Sequence, residues 1–157
     1  MSLLDAPQYD AARDRQRRRL AIVLVILLVL STIPMFLFWN WRQERIVNRF
    51  FEAVERQDYE TAYAVKFHDP NWKDHIEKYQ DYPLSALVRD WGPSGDWGKI
   101  TKHKIDCSTH APKGGSGVIV VVTVNDHKEP ARMWVEDKDQ TLTDSPVPLL
   151  CPHLFGN

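Results

Sequence analysis

Residues 20–41, LAIVLVILLVLSTIPMFLFWNW, constrain the chain more than any other stretch, because they carry no charge and follow directly on Arg17, Arg18 and Arg19. Wound as a helix at about 1.5 Å per residue, the stretch would run roughly 33 Å, against a bilayer hydrocarbon core of about 30 Å. The expectation is an uncleaved, single-pass transmembrane helix. A signal peptide has an apolar core of about 7 to 15 residues and small residues at its cleavage point. Phe36, Phe38, Trp39 and Trp41 occupy that place here. A buried core helix fits poorly as well, since a surface helix of a small domain is apolar along one stripe only. Pro34 predicts a kink, which membrane helices tolerate.

Flanking charge sets the expected orientation. Arg13, Arg15, Arg17, Arg18 and Arg19 crowd the amino side, and clusters of this kind stay in the cytoplasm. Arg42, Arg45 and Arg49 on the other side reduce the contrast without reversing it. The expected place is therefore the inner membrane, with the amino end cytoplasmic and the carboxyl portion extracytoplasmic. Arg17, Arg18 and Arg19 would mark one membrane interface, Trp39 and Trp41 the other. The lipid bilayer is thus the first expected partner. From residue 42 on, fifteen Lys and Arg face eighteen Asp and Glu, which disfavours nucleic acid as a partner.

Beyond residue 41 the pattern changes period. Ile46, Val47, Phe50, Phe51 and Val54 recur at three- and four-residue steps between charged residues, predicting an amphipathic helix over 42–57 that could continue the membrane helix. Asp58 suits the N-cap of a second helix, which Asp69-Pro70 ends. Short helices are expected over 72–80 and 84–91, the latter stopped by Gly92-Pro93. Strands are expected over 98–109, 118–124, 131–136 and 140–144, the second apolar enough to be buried on both faces. Helices first and an antiparallel meander afterwards give an α+β layout.

The opening FFEAVERQDYETAYAV at 50–65, followed by short helices and a meander, resembles the membrane-tethered NTF2-like domains (cystatin-like superfamily, SnoaL-type). The resemblance implies helices packed on a curved antiparallel sheet, the first lying in its concave face. The expected organisation is a basic tail over 1–19, a transmembrane helix over 20–41, an NTF2-like domain over 42–148 and a tail over 149–157. The family also implies pairing through the open face of the sheet. It hosts isomerases, dehydratases, binding modules and scaffold subunits alike, so it names no activity.

Cys107 and Cys151 are the only cysteines, and in an oxidising compartment a disulfide between them is expected. A zinc site of Cys107, His110, Cys151 and His153 has the right ligand types, but two strand residues three apart face opposite ways. No metal and no cofactor are expected. Catalysis would need a carboxylate or His in an apolar setting, for which Asp106, His103, Asp74 and Asp90 are candidates without a motif behind them. The chain has no nucleophile elbow, and its Gly114-Gly115-Ser116-Gly117 run precedes a strand where a phosphate cradle would open a helix. Tyr63, Phe67, Trp91, Trp97, His103 and Trp134 are the candidate pocket residues. The leading expectation is a non-enzymatic envelope protein whose outer domain binds or scaffolds another protein, or pairs with its own copy. The rival is a small-ligand carrier or isomerase-like enzyme using the cavity between first helix and sheet. A filled cone favours the former, an open one with an inward His or Asp the latter.

Overall fold

The structure, a computed structural model, describes residues 11–37, 40–111, 114–145 and 147, with side chains in the first helix described over 15–31. The chain divides into two compact units, 1–39 and 40–157. The first holds α1 (Ala11–Leu37), which starts inside the arginine-rich segment and so takes those arginines into its opening turns. Its described apolar side chains run from Leu20 to Leu30 and are exposed on every side of the helix. Among the described residues no helix is long and apolar enough to cross a membrane. The transmembrane helix expected over 20–41 is corrected accordingly. Arg17, Arg18 and Arg19 are exposed on α1, and Trp39 lies outside the described residues. Trp41, expected at a membrane interface, is the first residue of α2 (Trp41–Glu55), with the Arg45 guanidinium 4.9 Å from its ring.

In the second unit, the three- and four-residue spacing of α2 buries Ile46, Val47, Phe50, Phe51, Ala53 and Val54 along one side. Gln57, at a φ of 59°, turns the corner, and Asp58 caps α3 (Tyr59–Lys66) by accepting the Thr61 N–H at 3.1 Å. The segment Trp72–Tyr79, expected as an α-helix, is a 3-10 helix kinked at His75. The Asp69 carboxylate explains the tightening: it accepts the Asn71 N–H at 2.9 Å and the Tyr79 hydroxyl at 2.7 Å and meets His75 Nδ1 at 3.1 Å. Such local side-chain bonds compete with the helical ladder. The next helix, α4 (Leu84–Trp91), stops at Gly92, where a Cβ would stand 2.2 Å from the Val88 carbonyl oxygen.

The strands β1 (His103–His110), β2 (Gly117–Val124), β3 (Ala131–Glu136) and β4 (Leu142–Asp144) form one antiparallel sheet in chain order. The first begins later than its alternation suggested because Asn125 holds the preceding segment. Its Oδ1 accepts the Thr101 N–H at 2.9 Å, and its amide donates to the Lys99 carbonyl at 2.9 Å. Register shifts between Ile105 and Cys107, a bulge that frees Asp106 to accept the Thr123 hydroxyl at 2.5 Å. On one face of β2, Val118, Val120, Val122 and Val124 join the core that α2, α3 and α4 complete. On the other, Ile119 and Val121 are fully buried, with Cys107, Trp134 and Val147 packed against them. The α+β layout holds, and the face through which family pairing was expected presents no open apolar surface at Ile119 and Val121.

Candidate functional site

The space between α2 and the sheet, where a family-type cavity would lie, is packed. Phe50, Phe51 and Trp91 meet edge to face with centroids 5.2 to 5.5 Å apart. The His103 ring stacks on Phe51 at 5.3 Å. Asn48 donates its amide to Glu52 at 2.6 Å, which turns the Asn48 carbonyl oxygen toward His103 Nε2 at 2.9 Å. On the other side His103 Nδ1 meets Glu55 Oε1 at 2.7 Å. Both ring nitrogens are thus engaged. No cavity described here is lined by His103, so an inward histidine in an open cone is not what the residue makes. It ties β1 to α2.

The open sites lie elsewhere on the unit. A cavity of about 480 Å³ is lined by Arg89, Asp90, Trp91, Ser94, Gly95, Asp96, Trp97 and Asp144. A second, of about 370 Å³, adds Glu129, Pro130, Ala131, Arg132 and Ser145 and shares Trp91, Trp97 and Asp144 with the first. Together they make one groove around a tryptophan pair whose rings stack at 6.2 Å, nearly parallel at 9°. The local sequence explains the placement. Gly92 ends α4 just after Trp91, successive turns join the Gly95 N–H to the Gly92 carbonyl and the Gly98 N–H to the Gly95 carbonyl, and Gly98 sits at a φ of 62°. Asn125 then donates to the Trp97 carbonyl at 3.3 Å, and His127 meets the Trp97 ring at 5.3 Å. Asp144 arrives from β4, opposite Met133 of β3.

Beside the groove, a cavity of about 360 Å³ is lined by Lys66, Phe67, Tyr82, Thr141, Leu142, Thr143 and Asp144. Lys66 is only 7% exposed. Its ammonium donates to the Leu142 carbonyl at 3.1 Å and lies 4.9 Å from the Tyr82 ring centre. Burial holds the Lys66 amine below its ordinary value, and the charges of Asp144 and Asp90 oppose that. Tyr82 donates to Asp90 Oδ2 at 2.9 Å, while Arg89 donates to Oδ1 at 3.0 Å. Burial first and the Asp90 bond second push the Tyr82 hydroxyl far above the phenol range. For Asp90, burial acts upward, but the Tyr82 and Arg89 hydrogen bonds and nearby cations leave the carboxyl lowered. A fourth cavity, of about 410 Å³, is apolar and lined by Tyr63, Trp72, Ile76, Tyr79, Pro83 and Leu84 among others.

The six pocket residues proposed from sequence therefore do not share a pocket. Trp91 and Trp97 come together in the groove, whereas Phe67 and Tyr63 line two other cavities. His103 is interior, and Trp134 packs on the opposite face of the sheet against Ile119 and Val121. Their spacing in sequence could not separate two sheet faces from two ends of a helical layer. Lys66, Tyr82, Arg132 and Asp144 were not singled out. Among the candidate acids, Asp106 is spent on Thr123 and Asp90 lines the groove. Cys107 is not a free thiol. Cys151, its expected partner, and His153 lie outside the described residues, so no disulfide closes within them. Among the described residues no group of three metal-ligating side chains is gathered.

No family model, no curated protein and no solved structure matches the chain. The NTF2-like resemblance accordingly stands on the residues and the order of elements alone.

Proposed function

We propose that the second unit is a non-enzymatic protein-binding module that engages its partner through the groove around Trp91, Trp97 and Asp144. One observation carries the reading: the interior between α2 and the sheet is filled by rings and by a histidine bonded on both sides, while the open volume lies on the surface. An enzyme of the isomerase type needs a base facing empty, enclosed space, and a His103 held between Glu55 and Asn48 does not supply one. Partner surfaces, by contrast, favour tryptophan and arginine at their centre. On this reading the domain follows an NTF2-like plan, supported by helices that precede a four-stranded meander and by α2 lying against β1, β2 and β3. The bonded sulfur of Cys107 supports an oxidising, extracytoplasmic location.

Site-specific photocrosslinking in the native cell tests the proposal. A benzophenone side chain in place of Glu129, at the rim of the groove, is expected to give a discrete protein adduct. The same probe in place of Lys138, on the β3–β4 turn, is expected to give none. Adducts absent from both positions, or equal at both, overturn the reading.

A further inference from the structure

We infer that the groove receives an arginine side chain presented on a segment of a partner protein. The inference rests on the reading of the groove as a protein-binding surface and adds the chemistry of what enters it. Four carboxylates line the groove's two lobes, from Asp90, Asp96, Glu129 and Asp144, against two guanidinium groups, from Arg89 and Arg132. Arg89 is engaged by Asp90 at 3.0 Å, so it neutralises a charge already counted. The excess is acidic. Asp96, Glu129 and Asp144 are exposed, so their charges are held at the mouth of the groove, the Asp144 charge acting also on the buried Lys66 ammonium.

Two tryptophans stand among the groove's mostly polar lining. Trp91 is 5% exposed and fixed by Phe50 and Phe51, whereas Trp97 is half-buried and lines both lobes. An indole attracts a cation over its face, and tryptophan does so more strongly than tyrosine or phenylalanine. A guanidinium combines flat stacking on such a ring with a fork of donors that matches a carboxylate, and it sheds water more readily than an ammonium. Arginine is thus the residue whose side chain uses both the wall and the rim. Size points to a peptide segment in preference to a free small cation. One lobe of about 480 Å³ exceeds what a single guanidinium fills, and the adjoining lobe of about 370 Å³ leaves room for a neighbouring residue.

The test follows the indole N–H resonance of Trp97 in the full chain, assigned by W97F, during titration with five blocked peptides. They share the frame Gly-Ser-X-Ser-Gly, with X as arginine, citrulline, lysine, leucine or glutamate. Citrulline keeps the shape of arginine and removes the charge. The arginine peptide is expected to shift the resonance saturably, with citrulline at least tenfold weaker and lysine between them. D144N is expected to weaken the arginine peptide at least fivefold, and added salt to weaken it further. Should D144N fail to fold, D96N, in an exposed turn, takes its place. Equal binding of arginine and citrulline, or a shift caused only by leucine or glutamate, overturns the arginine chemistry and leaves the groove as a docking surface. No shift with any of the five peptides overturns both.

Discussion

At the scale of single residues, the side chains that matter most in this domain are held by short polar contacts. Asp58 is the simplest: its carboxylate accepts the Thr61 N–H at the start of α3, and hydrogen bonding by the Thr61 side chain first and by that N–H second holds its carboxyl below the usual aspartate range. Asp58→Ala should cost about 1 kcal/mol of stability at neutral pH, the ordinary worth of an N-cap, as read by urea unfolding. The sign with pH follows from the lowered carboxyl. The capping contribution is complete above the carboxyl's unfolded value of 3.8 and disappears as pH falls through the lower folded one, so variant and parent should converge in acid. His103 is the stronger case. Removing its ring leaves Glu55 and Asn48 facing a gap and takes away the surface on which Phe51 stacks. His103→Ala should cost about 2 to 3 kcal/mol, yet at a temperature where it stays folded it should leave arginine-peptide binding at Trp97 unchanged. A loss of binding in the folded variant would return His103 to the site.

At the scale of elements, the helical period of α2 and the β-branched run of β2 were readable because each repeats one physical demand along many residues. The 3-10 turn at Trp72–Tyr79 was not. It depends on one carboxylate, Asp69, which precedes it and gathers His75 and Tyr79. Likewise the late start of β1 depends on Asn125, which is 24 residues beyond the Thr101 it holds. The groove was legible by half. Trp91 and Trp97 stand near each other in sequence, but Asp144 and Arg132 reach them only through the sheet, and no local pattern marks them. The tail after β4 is where element and covalent chemistry meet. Cys107 sits on β1 and is not a free thiol, and the chain's other cysteine is Cys151. A bridge between them would close a loop of about 45 residues, for which chain entropy gives roughly 4 kcal/mol as an upper figure. Reductant should therefore lower the melting temperature, and protein purified with thiols blocked should change electrophoretic mobility on reduction. Identical melting and migration with and without reductant would exclude the bridge.

At the scale of the whole molecule, the apolar side chains are distributed in two unlike ways. Every residue of the two core clusters lies at position 46 or beyond, where rings and branched chains bury one another. In the first unit the described apolar residues between Leu20 and Leu30 are exposed around α1, between 45% and 64% for each large one. A soluble chain seldom leaves so continuous an apolar surface in contact with water. Stability and solution behaviour should therefore separate cleanly. Because every residue of the two core clusters lies at position 46 or beyond, a chain beginning at Asn40 should unfold cooperatively with the same urea midpoint as the full chain. The full chain should self-associate in plain buffer with an apparent mass that rises with concentration, whereas the shortened one should not, since Ile119 and Val121 on the outer sheet face are already covered. Sedimentation at two concentrations distinguishes the cases. A shortened chain that unfolds at a lower midpoint would mean that the first unit contributes to the fold of the second. A full chain that stays monodisperse would contradict the exposure of these leucines and isoleucines in solution.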